Sequence, residues 1–281
     1  MSTCYVIATP IGNLQDMTPR AVEVLGSVSA IFAEDTRVSA RLLVHFGISC
    51  PLISLHEHNE MSRVEKIKSF LEAGESVAII SDAGTPLISD PGFTVVRHLR
   101  EEGFTVVPIP GVSAIITALS VAGIPTDRFT FIGFLPSKKG QRRTELSTLS
   151  HVTHTQIFYE SSHRILAMLE DLQEIFGESR AIFVGREMTK RFEDYRYGTV
   201  KELHAHYLVH EGEVRGEFVV VTSGVEKREE ENTSGLDVSQ LLQVLLAEKL
   251  PLKQISLILH KVTGRAKNEL YQELLALKDV E

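Results

Sequence analysis

Two cysteines in 281 residues, Cys4 and Cys50, supply neither the count of a disulfide framework nor the spacing of a zinc site, and both are expected as reduced, partly buried thiols. No apolar run approaches the ~20 residues that span a bilayer. The opening Met1-Ser2-Thr3-Cys4-Tyr5 passes into a short apolar strand with no basic or long apolar leader, so a cytosolic protein without a membrane partner is expected. Positive charge is scarce too. The chain holds 29 Lys and Arg against 37 Asp and Glu, a formal net charge of -8, which excludes indiscriminate attraction to DNA or free RNA and makes any RNA contact local. Neither a Gly-x-x-x-x-Gly-Lys-Ser/Thr loop nor a Gly-x-Gly-x-x-Gly fingerprint occurs, which removes the best support for a nucleotide-phosphate cradle. Ser161-Ser162-His163 lacks the nucleophile-elbow pattern, which argues against serine-triad hydrolysis. His56 and His58 have no third ligand at a suitable spacing, so no metal is expected.

What remains is an ordinary globular composition, 43% hydrophobic and 23% charged, with room for two domains and a small third. Short apolar runs alternate with helical periods: strands at 5–9, 30–33, 52–55, 77–80 and 105–108, with helices between them. Thr18-Pro19 reads as a cap and first position, and Thr36 or Ser39 as the next helix start. Strand, helix, strand in series is the pattern of a parallel sheet. Gly123-Ile124-Pro125 breaks it. Residues 124–225 then read as a second α/β domain with a mixed sheet, 226–235 as a charged linker without apolar residues, and 236–281 as a small helical domain. The first domain is therefore 1–123.

Three loops carry the chemistry: Pro10-Ile11-Gly12-Asn13-Leu14, Ser81-Asp82-Ala83-Gly84-Thr85-Pro86, and Pro110-Gly111-Val112-Ser113-Ala114. Each follows a predicted parallel strand at its carboxyl end, where open α/β sheets bind ligands. Each sets a glycine among small or polar residues, so backbone can approach a ligand closely. Local basic sets stand at Lys138-Lys139-Arg142-Arg143, at Lys190-Arg191 with Arg196, and at Lys261-Arg265-Lys267. Gathered on the rim of one cleft, they would hold phosphates. His206 and His210, at i and i+4, are best read as a solvated helix face.

These motifs, with Ala33-Glu34-Asp35-Thr36-Arg37, His56-Glu57-His58-Asn59-Glu60, Ile88-Ser89-Asp90-Pro91-Gly92, Gly133-Phe134-Leu135-Pro136, Tyr159-Glu160-Ser161 and Gly185-Arg186-Glu187-Met188-Thr189-Lys190, resemble the tetrapyrrole methylase-like superfamily. Within it the chain is similar to the bacterial branch that methylates a cytidine 2'-O-ribose in 16S ribosomal RNA. The likeness runs from Tyr5 to about Val225, and the 264–271 segment resembles that branch's helical extension. It implies two α/β domains of the tetrapyrrole methylase type with S-adenosyl-L-methionine in the cleft between them, a small C-terminal helical extension, and a homodimer. The substrate implied is 16S ribosomal RNA within the small subunit, at the decoding centre. Carried over residue by residue, the cofactor-lining positions are Pro10, Ile11, Gly12, Asn13, Leu14, Ser81, Asp82, Ala83, Gly84, Thr85, Pro86, Ser113 and Ala114, with Phe158 and Tyr159 from the second domain.

Methyl transfer to a ribose hydroxyl is mostly a matter of alignment, with a positioned base adding roughly 10²–10⁴-fold. Candidates for that base are His56, Glu57, Glu187, Lys190 and Asp35, which the sequence does not rank. Two other readings stand beside this one. A tetrapyrrole-precursor methylase fits the loops but leaves the basic runs and the tail without a role. A catalytically silent RNA-binding or ribosome assembly factor would keep the fold alone.

Overall fold

The computed structural model describes residues 2–225, 241, 244–246, 248 and 250–278; the stretch 226–235, expected as a linker, lies outside them. Strands and helices alternate as β1 Cys4–Ile7, α1 Pro19–Ser27, β2 Ala30–Ala33, α2 Thr36–His45, β3 Leu52–Ser54, α3 Glu60–Glu72, β4 Val77–Ile80, α4 Phe93–Glu101, β5 Val106–Ile109 and α5 Ala114–Val121. The five strands are all parallel, in the order β3-β2-β4-β1-β5. Every residue of β2 and β4 is buried. Phe32, Val64, Ile67, Val95 and Leu99 pack together on one face of the sheet, and Leu25, Ile31, Leu43, Ala78 and Ile80 on the other. Strands covered on both faces have no polar side, hence their unbroken apolar runs.

Helix starts show where local chemistry decided and where it did not. Thr18 accepts the Ala21 N–H at 3.2 Å ahead of Pro19, as its sequence signature predicts. At α2 the cap is Asp35 rather than Thr36 or Ser39: its carboxylate accepts the Arg37 N–H at 2.8 Å, and a negative group is the better match for a helix N-terminus. Helix α4 begins at Phe93, just past the Pro91-Gly92 turn. Glu60, from α3, accepts the N–H groups of Gly92 and Thr94 at 2.8 and 3.0 Å and so supplies this helix's cap across the fold.

The second sheet comprises β6 Phe129–Phe134, β7 Thr155–Ser161, β8 Ala181–Arg186, β9 Asp194–Thr199 and β10 Glu217–Thr222, ordered β6-β7-β10-β8-β9. Only β6 and β7 pair parallel, so the sheet is mixed. Helices α6 Lys139–Leu149, α7 Ile165–Phe176 and α8 Val200–Val209 cover one face around Leu146, Phe158, Met168, Leu172, Tyr207 and Phe218. The opposite face takes Ile115, Ala118 and Leu119 of α5 against Ile157, Phe183, Val219 and Val221. The helix that ends the first sheet's series thus packs on the second sheet. Both belong to one compact unit, Met1–Val225.

The remaining residues, from Glu226 on, form a separate unit. Its helices Leu252–Thr263 and Lys267–Lys278 bury Ile255, Leu259, Leu270 and Leu274 together, and Gly264 turns between them at φ +72°. Among the described residues no helix is long and apolar enough to cross a membrane.

Candidate active site

The three glycine loops meet at the carboxyl ends of the central strands. Thr9 and Gly84 exchange backbone hydrogen bonds at 2.8 and 3.0 Å, joining the first loop to the second. The Thr85 hydroxyl donates to the Val112 carbonyl at 3.1 Å, joining the second to the third. A Cβ on Gly111 would lie 2.9 Å from that of Ala8, so only glycine allows this approach. The loops open on a cavity of about 310 Å³ lined by Ile11, Ala83, Gly84, Thr85, Ser113, Ala114 and Tyr159, all foreseen from sequence. Ile88, Ser89, Asp90, Phe134, Glu160, Ser161 and the start of β10, Glu217 to Val219, also line it and were not named as site residues. The Ser89-Asp90-Pro91-Gly92 run was visible in the sequence, but it reads as a helix start. Its shape comes from the turn: Leu87 and Ser89 hold φ values of +73° and +68°, a conformation non-glycine residues rarely adopt.

Other predicted residues shape the cavity without lining it. Pro10 is buried beneath its loop, and Gly12, Asn13 and Leu14 are exposed. Ser81 is buried, Pro86 is buried, and Asp82 accepts the Asp35 N–H at 3.0 Å, tying the end of β4 to the end of β2. Phe158 points into the core on the other face of its strand, because neighbours on a strand alternate and Tyr159 takes the cavity side.

The charge here is negative. Burial is the main cause that pushes the carboxyl groups of Glu34, Asp82 and Asp90 above their usual range; around Glu34, the charges of Asp82 and Asp90 add to the effect. The Tyr159 phenol is pushed up to about 12 by burial and by Asp90. Such a set favours a cationic ligand, whose charge would relieve the repulsion. S-Adenosylmethionine, with its sulfonium and amino group, fits that requirement, and the cavity's glycine and alanine walls leave room for a bent molecule.

Residues 3–204 match the family model for tetrapyrrole (corrin/porphyrin) methylases, and residues 232–278 match a model described as the RsmI C-terminal HTH domain. Over 97% of its length the chain is 48% identical to the ribosomal RNA small subunit methyltransferase I of Pseudomonas aeruginosa, covering 96% of that protein. The family is settled by this. The chain belongs to the ribosomal RNA small subunit methyltransferase I family. The Escherichia coli O157:H7 member is 46% identical over 96% of the chain and 94% of the relative. The fold extends further. The methyltransferase CobJ superposes with a TM-score of 0.59 at 18% identity, covering 82% of this chain and 97% of that one. A Thermus thermophilus uroporphyrin-III C-methyltransferase complexed with S-adenyl homocysteine gives 0.53 at 18%, covering 79% and 97%.

Within this family member the five base candidates fall away from the cavity wall. His56 and Glu57 are exposed beyond edge strand β3, where the His56 ring meets the Asn59 amide at 3.0 Å. Asp35 caps α2 and pairs with Arg37, which holds its carboxyl down at about 2. Lys190 bridges Glu187 and Glu217, 2.7 Å from each. Burial opposes the charged forms of Glu187 and Lys190, but their mutual pairing wins, leaving the glutamate lowered and the lysine raised. The pairing makes the Glu187 carboxylate a weaker base and keeps Lys190 an ammonium, which has no lone pair to take a proton. A Cβ on Gly12 would lie 2.3 Å from Lys190 Cγ, so the lysine stem lies over the first glycine loop. Among the described residues no group of three His, Cys, Asp or Glu is placed to hold a metal.

The basic sets are also largely spoken for. Arg142 and Arg143 lie on α6; Arg142 is buried and paired with the buried Asp171 at 2.7 Å, Arg143 with Asp171 and Glu174, and Lys139 with Glu170. Arg196 pairs with Asp194 and Glu213, and Arg265 with Glu273. Lys138, Arg191, Lys261 and Lys267 are exposed.

Proposed function

We propose that this chain uses S-adenosylmethionine to methylate the 2'-hydroxyl of a cytidine ribose in 16S ribosomal RNA, at the decoding centre of an assembled small subunit, in the cytoplasm and as a homodimer. The near-full-length likeness to proteins named ribosomal RNA small subunit methyltransferase I carries the substrate class. The ribose position and the decoding centre rest on the motif resemblance. When bound, the donor supplies an electrophilic methyl group on a sulfonium, which passes in line to the ribose oxygen. Asp90 on the cavity wall favours that cation, Gly84 and Ala114 leave it room, and Tyr159 and Val219 line the side contributed by the second sheet. Three acidic residues line the cavity. Glu160 is held by Arg164 at 3.1 Å and Glu217 by Lys190, whereas Asp90 makes no ion pair among the described residues. Asp90, its affinity for a proton raised mainly by burial, is the group suited to receive the hydroxyl proton.

Incubation with labelled S-adenosylmethionine and undermethylated small subunits tests this. Label should appear as a 2'-O-methylcytidine in 16S ribosomal RNA. Transfer to a tetrapyrrole precursor instead, or to a base rather than a ribose, would overturn it.

A further inference from the structure

Strand β6 carries an irregularity that reorganises the cavity mouth. Along its pairing with β7, Phe131 lies opposite Ile157, but Gly133 lies opposite Phe158 and Phe134 opposite Tyr159, so Ile132 is an extra residue, a bulge. Gly133 sits at φ +78° there. Phe131 and Phe134 are three residues apart, and in an unbroken strand they would face opposite sides of the sheet. The bulge resets the alternation and turns both toward Tyr159: the ring centroids lie 4.9 Å away for Phe131 and 5.7 Å for Phe134, each packed edge to face. Ile132 and Leu135 keep to the helix-covered core. Bulges that re-aim a side chain are a feature of site rims.

The two phenylalanines then differ in burial. Phe131 packs against the α5-covered core, while Phe134 lines the cavity and stays 58% exposed. Ile88, from the strained turn of the first sheet, lines the same cavity and is 43% exposed. The mouth is thus edged by an open aromatic ring and an open aliphatic side chain contributed by different sheets. Four residues past Phe134 comes Lys138, exposed and, unlike Lys139, Arg142 and Arg143, without an ion pair among the described residues. An open aromatic ring followed four residues on by an uncommitted cation offers the two groups by which proteins hold single-stranded nucleic acid, base on ring and phosphate on ammonium.

We infer that Phe134 is the platform on which the base of the acceptor nucleotide stacks, unpaired from its helix, with Lys138 on the neighbouring phosphate. The inference rests on the ribose-methylation reading above. Holding the base at the mouth leaves the ribose directed at the cavity, so Phe134 is a positioning residue. Stacking is tolerant of base identity, and this contact would align the nucleotide without selecting cytidine over uridine.

The test uses the full chain with Phe134→Ala, Phe134→Tyr and Lys138→Glu. For Phe134→Ala, KM for undermethylated small subunits should rise on the order of 10- to 100-fold, with calorimetric S-adenosylmethionine affinity and solution mass unchanged. Phe134→Tyr should stay within a few-fold of the natural enzyme, and Lys138→Glu should raise KM and reduce its salt dependence. A second readout needs no turnover: a short single-stranded RNA carrying a fluorescent cytidine analogue should be quenched by the natural protein and not by Phe134→Ala. Unchanged KM and quenching in Phe134→Ala would overturn the inference. So would a parallel loss of S-adenosylmethionine affinity, which would put the donor's adenine on this ring, or a change of solution mass, which would make it a subunit contact. Should subunits prove not to be the substrate, failure of the ribose-methylation reading would show in the natural enzyme's lack of turnover, while the quenching arm still decides whether a base stacks on Phe134.

Discussion

Gly84 concentrates the site's constraints in one residue. It holds φ +81°, exchanges hydrogen bonds with Thr9, lines the cavity, and would bring a Cβ to 3.4 Å from Ile11 Cγ2. Gly84→Val should cost at least ~1–2 kcal/mol from the left-handed backbone alone. That is a fall of roughly 2–8 °C in melting temperature for a unit of this size. Binding of S-adenosylmethionine should be lost outright, as calorimetry would show; retained affinity would remove Gly84 from the site. The acidic residues give a pH signature. Glu34, Asp82 and Asp90 have raised folded-state pKa values, so ionising them costs the empty protein stability, and that cost disappears as pH falls through the raised values. A cationic ligand needs the ionised forms, so its affinity should move the other way. Titrated between about pH 5 and 8, binding should weaken toward the acid end, and Asp90→Asn should flatten that slope. A pH-independent affinity would argue that Asp90 does not face the ligand and that the charges behind it are not felt there.

Among the elements, α6 and α7 are joined by charge as much as by packing. Asp171 is fully buried between Arg142 and Arg143. Buried pairs add little net stability, but removing one partner strands the other. Asp171→Ala leaves Arg142 buried and uncompensated and should destabilise the first unit by about 3–5 kcal/mol in chemical denaturation. A purely RNA-facing role for Arg142 predicts instead weaker substrate binding at unchanged stability. The β6 bulge makes the same point in a strand: one inserted residue decides which side chains face the cavity, and no composition rule reports it.

For the whole molecule, charge and architecture bear on the substrate. With a net charge of -8 and six of the ten side chains in its basic sets held in ion pairs, general phosphate attraction is weak, and recognition has to come from a shaped surface. Undermethylated small subunits should therefore be methylated at least ~10-fold faster than the same RNA extracted from them, a factor that about 1.4 kcal/mol of contacts offered only by the assembled surface would supply. Equal rates would contradict this. On the C-terminal unit, Lys261 and Lys267 are exposed on its two helices. If they meet phosphates, the double Glu variant should lower the slope of log affinity against log salt by roughly 2, with S-adenosylmethionine affinity unchanged. An unaltered slope would place the unit away from RNA.

Sequence by itself determined the alternation of elements, the parallel first sheet, the three glycine loops and the family, because each is written in short-range terms: apolar runs for strands buried on both faces, proline and threonine at a helix start, glycine where backbone must approach closely. It also named Tyr159, which lines the cavity. What faces what was left to the tertiary structure. Phe158 went to the core and Asp90 to the cavity, since side-chain direction depends on strand register and on a strained turn. The basic run at 138–143 looks free in sequence, but its acidic partners lie about thirty residues on, at Glu170, Asp171 and Glu174 of α7. Lys190 and Glu187 resemble acid-base groups until Glu217, on another strand, closes their pairing. A local pattern fixes which residues can bond; only the folded chain brings up the partner that uses the bond.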